Sequence, residues 1–79
     1  MPDIIEIRPH RDGGAVFGLY CEYAYQNNST LSEHSNSALE WIVENRTGEI
    51  EIGGMNDDGY VYLTINTKHD AALFKTFWL

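Results

Sequence analysis

The sequence predicts an α+β domain of ββαββ(α) order. It is a four-stranded, mainly antiparallel sheet covered on one face by a helix and a short C-terminal helix. Three observations predict it. Four separate runs read as strands: residues 3–8 alternate loosely, 15–25 are β-branched and aromatic with two faces, and 49–52 and 60–66 alternate apolar and polar with period two. Between the second and third runs, Leu31, Ala38, Leu39 and Ile42 follow a helical period instead. Gly13-Gly14, Gly53-Gly54 and Asn56-Asp57-Asp58-Gly59 stand where the strands have to end or reverse.

Each element follows from its residues. Ile4-Ile5-Glu6-Ile7-Arg8 alternates loosely and is closed by Pro9, giving a first strand. Arg11-Asp12-Gly13-Gly14 turns the chain into a β-branched and aromatic run from 15 to 25. Phe17, Leu19, Cys21 and Tyr23 lie on one side of that run, and Val16, Gly18, Tyr20 and Glu22 on the other. Gln26-Asn27-Asn28-Ser29 breaks the pattern. Thr30-Leu31-Ser32-Glu33 and Ser37-Ala38-Leu39-Glu40 both have capping-box spacing, so the helix starts at one of them and stops near Arg46, ahead of Gly48. Glu49-Ile50-Glu51-Ile52 reads as a half-buried strand closed by Gly53-Gly54. The run from 60 to 66 sends Val61, Leu63 and Ile65 inward. Asp70 caps a final helix in which Leu73, Phe74 and Phe77 share a face; the alternative is an edge strand over 74–79, and the helix formers Ala71, Ala72, Leu73 and Lys75 favour helix. The expected core joins Phe17, Leu19, Leu39, Ile42, Ile50, Ile52, Leu63, Ile65, Leu73 and Phe74.

Seventy-nine residues make one domain spanning 1–79. Its 43% hydrophobic and 13% aromatic content supports a core, which separates it from a disordered tail. The lone cysteine, Cys21, leaves no internal disulfide and suits a reducing compartment. No apolar stretch approaches the roughly 18 residues of a membrane span, so no membrane role is expected. Twelve Asp and Glu against five Lys and Arg give a net charge of −7. Such a surface repels nucleic acid and attracts basic patches on proteins.

Signs of catalysis or metal binding are missing from the sequence. His10, His34 and His69 lack zinc spacing, and the 56–59 turn lacks the rest of a calcium loop. Cys21 sits mid-strand without an activating motif, the serines gather where helix caps belong, and the glycine pairs have no phosphate-loop lysine. Glu49 and Glu51 share a solvent face on a strand. The expectation is a binding protein with no catalytic residues, no metal and no cofactor.

Two surfaces carry that expectation. On the helix, Glu33, Ser37, Glu40 and Glu44 form a stripe opposite the apolar face. Glu40 and Glu44 stand roughly 6 Å apart along the axis, close to the spacing of phosphates on a nucleic-acid strand. The open sheet face is expected to hold Ile4, Glu6, Tyr20, Glu22, Glu49, Glu51, Tyr60 and Tyr62, with Asp57 and Asp58 in the adjoining turn. Tyrosine among carboxylates suits a basic protein partner, whereas an RNA-binding sheet sets aromatics among Lys and Arg.

The second half also resembles small proteins of unknown function that are widespread in bacteriophages. Ala38-Leu39-Glu40-Trp41-Ile42-Val43-Glu44-Asn45 resembles their helix and Gly59-Tyr60-Val61-Tyr62-Leu63-Thr64-Ile65 their last long strand. Asp70-Ala71-Ala72-Leu73-Phe74-Lys75 with Trp78 resembles their ending, which more often has leucine where this chain has Thr76. Phage proteins of this size and acidity include anti-CRISPR proteins, several of which look like DNA mimics. The resemblance implies an anti-defence inhibitor that blocks a basic, nucleic-acid-binding surface of a host protein in the bacterial cytoplasm, as a monomer or weak homodimer. An antitoxin-like or general interaction module, or a self-associating accessory protein, is the alternative.

Overall fold

The structure, a computed structural model, describes residues 2–25 and 28–79. The strands are β1 (Ile4–Pro9), β2 (Ala15–Tyr25), β3 (Asn28–Leu31), β4 (Ile50–Met55) and β5 (Tyr60–Ile65), and the helices are α1 (Glu33–Asn45) and α2 (Lys68–Trp78). The α+β architecture matches the expectation, with five strands in place of four. The sheet runs β1-β2-β5-β4, every pairing is antiparallel, and β3 pairs with β2. Gln26 and Asn27, half of the expected break after β2, lie outside the described residues.

The extra strand follows from the length of β2. Residues 15–19 of β2 pair with both β1 and β5, Tyr20 pairs with β5, and residues 21–25 extend past them. Strand backbone groups need partners, and Asn28–Leu31 supplies them despite its polar sequence. Tyr20 N–H donates to the Asp3 carbonyl at 2.8 Å and Tyr20 C=O accepts from Ser32 N–H at 2.9 Å, so β3 and β1 follow one another along the same edge of β2. Thr30 therefore belongs to a strand and caps no helix. The N-cap of α1 is Ser32, whose Oγ accepts from Ser35 N–H at 3.1 Å. The helix ends at Arg46, as its sequence predicts.

One core fills the space between the sheet and both helices. Phe17, Leu19, Leu63 and Ile65 from β2 and β5 meet Ala38 and Ile42 of α1 and Ala71 and Phe74 of α2. Phe17 and Phe74 pack with ring centroids 4.7 Å apart. Leu39, Ile50 and Leu73 are half-buried at the margins, and Phe77 is exposed. Ile52 departs from the expected core: its register partner Leu63 is fully buried, yet Ile52 is 51% exposed, because β4 is the outermost strand. Gly54 (φ 67) forms a bulge inside β4 rather than closing it.

Asp70 does not cap α2, whose N-cap is Thr67. It is buried in the first turn of α2 and reaches the loop after α1. Between β1 and β2, the chain crosses close under the end of β5. A side chain at Gly14 would collide with the carbonyl of Ile65, so that crossing requires glycine.

Candidate functional site

The start of α1 is tied to the start of β1. Ser32 is buried, and its hydroxyl donates to Asp3 Oδ2 at 2.8 Å. Ser35, also buried, donates to the Asp3 carbonyl at 3.1 Å. These bonds orient α1 so that Ser35, Ala38 and Ile42 face the core. Its other side then points to solvent, and Glu33, Ser37, Glu40 and Glu44 are all exposed there. The expected stripe is present in the expected register.

Tertiary structure extends this stripe at its N-terminal end. Asp3, Glu22, Glu33, His34 and Ser37 line a shallow concavity beside the first turn of α1. Cys21 N–H donates to the Gly59 carbonyl at 2.9 Å, which sets the β4–β5 turn next to Glu22. Asp57 and Asp58 are exposed in that turn. Asp3, Glu22, Glu33, Asp57 and Asp58 thus gather at one end of the sheet. The arginines and Lys68 lie elsewhere: Arg8 and Arg11 are near the end of β1, Arg46 caps α1 at its C-terminus, and Lys68 opens α2. Lys75 is engaged with Glu6 at 3.1 Å. Asp3 was not among the sequence candidates, and Glu22 was expected on the open sheet face and instead lines this concavity beside α1. They are far from Glu33 in the chain, and strand pairing alone unites them.

The open sheet face differs from its expected composition. Ile4 pairs with Leu19 and Glu6 with Phe17, so both point to the helix side; Ile4 is buried, and Glu6 meets Lys75 of α2 there. Tyr60 is buried as well. Its hydroxyl donates to the Pro2 carbonyl at 2.8 Å and its ring meets Tyr20 edge-on at 5.5 Å, which makes it a structural residue. Tyr20 and Tyr62 are half-buried, while Glu49 and Glu51 are exposed. Glu51, Tyr62 and Arg8 line one groove, so a cation interrupts the acidic character of this face. Glu49, Glu51 and Tyr62 lie across the sheet from the α1 stripe and do not join it in one contact surface.

Aromatic residues flank the stripe where α1 meets α2. Trp41 lies 5.1 Å from Phe77 and 6.3 Å from Trp78, and His34 lies 5.2 Å from Trp78, between ring centroids. Phe77 is 64% exposed. Only the antiparallel packing of the two helices brings these residues together. Among the described residues, no group of three or more His, Cys, Asp or Glu is placed to hold a metal ion. No helix among them is long and apolar enough to cross a membrane. Compared with family models, with curated proteins and with solved structures, the chain matches none.

Proposed function

We propose that this chain works without catalysis, as an acidic binding protein that occupies a basic surface of another protein. The carrying observation is the outer face of α1. Glu33, Glu40 and Glu44 are exposed along it, the helix itself contains no lysine or arginine, and Asp3 and Glu22 continue the charge at its N-terminus. Carboxylates spaced along a rigid helix offer a Lys/Arg-rich channel the charge pattern of a nucleic-acid backbone. That charge pattern suits a nucleic-acid-binding surface of a partner protein, and the resemblance of the second half to phage proteins implies the role, inhibition of a host protein by occupancy, of the anti-defence kind. Pull-down from a bacterial lysate followed by a salt titration of the captured complex tests it. Affinity is expected to fall steeply as ionic strength rises, because exposed charge pairs are screened beyond about 8–10 Å at physiological salt. A complex indifferent to salt removes charge as the driving term and with it this reading.

A further inference from the structure

The outer edge of β4 combines three properties that select one kind of ligand. The first is backbone polarity. Asn66 N–H donates to the Glu49 carbonyl at 3.1 Å, so Glu49 turns its polar groups toward β5. With period two, Glu51 does the same, and Ile50 and Ile52 aim their N–H and C=O away from the sheet. The other side of β5 agrees: Cys21 N–H bonds the Gly59 carbonyl, so the odd-numbered residues of β5 bond β2 and the even-numbered ones bond β4. No strand among the described residues lies beyond β4.

The second property is an apolar row on the helix side. Ile52 and Met55 stay 51% and 41% exposed there, although Phe17, Leu19 and Leu63 on the neighbouring strands are completely covered. The third is a pair of exposed carboxylates on the opposite side, Glu49 and Glu51, with Arg8 and Arg11 beside Glu51 and open space over Gly53. The bulge at Gly54 limits regular pairing to the stretch before it.

We propose that this edge accepts an extended segment of a protein partner in which basic and apolar side chains alternate, added to the sheet as a further strand. Main-chain bonds to Ile50 and Ile52 hold it. Its apolar residues cover Ile52, and its Lys or Arg residues stand opposite Glu49 and Glu51. A second copy of this chain is the poorer occupant. Edge-to-edge pairing brings Glu49 and Glu51 of both copies together and adds to the repulsion of a net charge of −7 on each. The edge is separate from the outer face of α1, so this inference stands or falls independently of the salt-sensitive binding proposed above.

A labelled peptide of about eight residues, alternating arginine and valine, tests it by fluorescence anisotropy. Binding is expected, and grouping the arginines at one end at constant composition is expected to weaken it at least about tenfold. N-methylation of one alternate set of peptide amides is expected to abolish binding, and methylation of the other set to leave it, because only one set faces β4. Ile52→Pro removes an edge donor while sparing the β4–β5 ladder. With folding checked by circular dichroism, this variant is expected to lose about tenfold or more, as for one or two net hydrogen bonds. Equal binding of alternating and grouped peptides, or indifference to both methylation patterns, overturns the proposal. A homodimer in sedimentation that Ile52→Pro dissolves assigns the edge to a second copy and overturns it equally.

Discussion

The carboxylate of Asp70, in the first turn of α2, holds the backbone of Thr47, just beyond the end of α1. Thr47 N–H lies 3.0 Å from Oδ1 and 2.9 Å from Oδ2, the Thr47 hydroxyl donates to Oδ1 at 2.9 Å, and Gly48 N–H donates to Oδ2 at 2.9 Å. Asp70 has no exposed surface. A buried charge is tolerated because donors from a single loop surround it. This one side chain fixes the C-terminal end of α1 against the N-terminal end of α2, and so sets the path into β4.

Replacing Asp70 with alanine leaves the Thr47 and Gly48 donors without their acceptor in a buried site. The expected cost is about 3 kcal/mol, out of a total stability of roughly 5 to 10 kcal/mol. Thr47→Ala removes only the hydroxyl donor and is expected to cost about 1 kcal/mol. Urea denaturation of the three proteins measures both differences. Equal stability of Asp70→Ala and the parent chain contradicts the anchoring role.

The same site makes stability depend on acid. Burial pushes the Asp70 carboxyl up, but hydrogen bonds from Gly48 N–H and from the N–H and hydroxyl of Thr47 outweigh it and hold the group below its ordinary value of 3.8. With the folded value lowered, the unfolded chain takes up the proton first. The contribution is then complete above the unfolded value, near 4, and is lost as pH falls through the folded one. Melting curves from pH 7 downward are expected to show a constant gap between the parent and Asp70→Asn above about pH 5, closing in acid.

Core truncations are expected to rank by burial. Leu63→Ala, at a fully buried position, is expected to cost about 2 to 5 kcal/mol, and the half-buried Leu39 less. Ile52→Ala is expected to stay within about 0.5 kcal/mol, as exposed substitutions do. Chemical denaturation orders the three. A large loss at Ile52 means that side chain is covered in solution.

Glu40→Lys with Glu44→Lys changes the sign of the outer face of α1 without touching the core. Folding is expected to change by no more than about 0.5 kcal/mol, while capture of a basic partner is lost. Circular dichroism and the lysate pull-down read the two effects separately. Retained capture with an intact fold moves the contact away from α1 to Tyr20, Tyr62, Glu49 and Glu51 of the sheet.

Tyr60→Phe deletes only the hydroxyl that bonds the Pro2 carbonyl at 2.8 Å. A loss of about 1 kcal/mol is expected, with partner binding unchanged. Thermal melts and the same pull-down check this. Loss of binding at full stability returns Tyr60 to the contact surface.

Local periodicity determined much of this protein. The hairpins β1–β2 and β4–β5, the amphipathic α1 and the exposed register of Glu33, Glu40 and Glu44 all follow from spacing, because period two and period 3.6 assign faces within a single element. The turn at 56–59 followed from its residue types. Asn56 Oδ1 accepts from the N–H groups of Asp58 and Tyr60, and Gly59 takes φ 91.

What an element packs against is a different quantity, and only the tertiary structure decided it. Ile4-Ile5-Glu6-Ile7 is apolar at both parities, so its inward face was settled by pairing Ile4 with Leu19. Asn28–Leu31 has little strand character and pairs because β2 outruns its other neighbours. Ile52 has the pattern of a core residue and is exposed because β4 ends the sheet. Asp70 has the composition of a helix cap and instead binds a loop more than twenty residues earlier in the chain. In each case the deciding term is a long-range contact, a backbone partner or a layer of cover, which no window of neighbouring residues encodes.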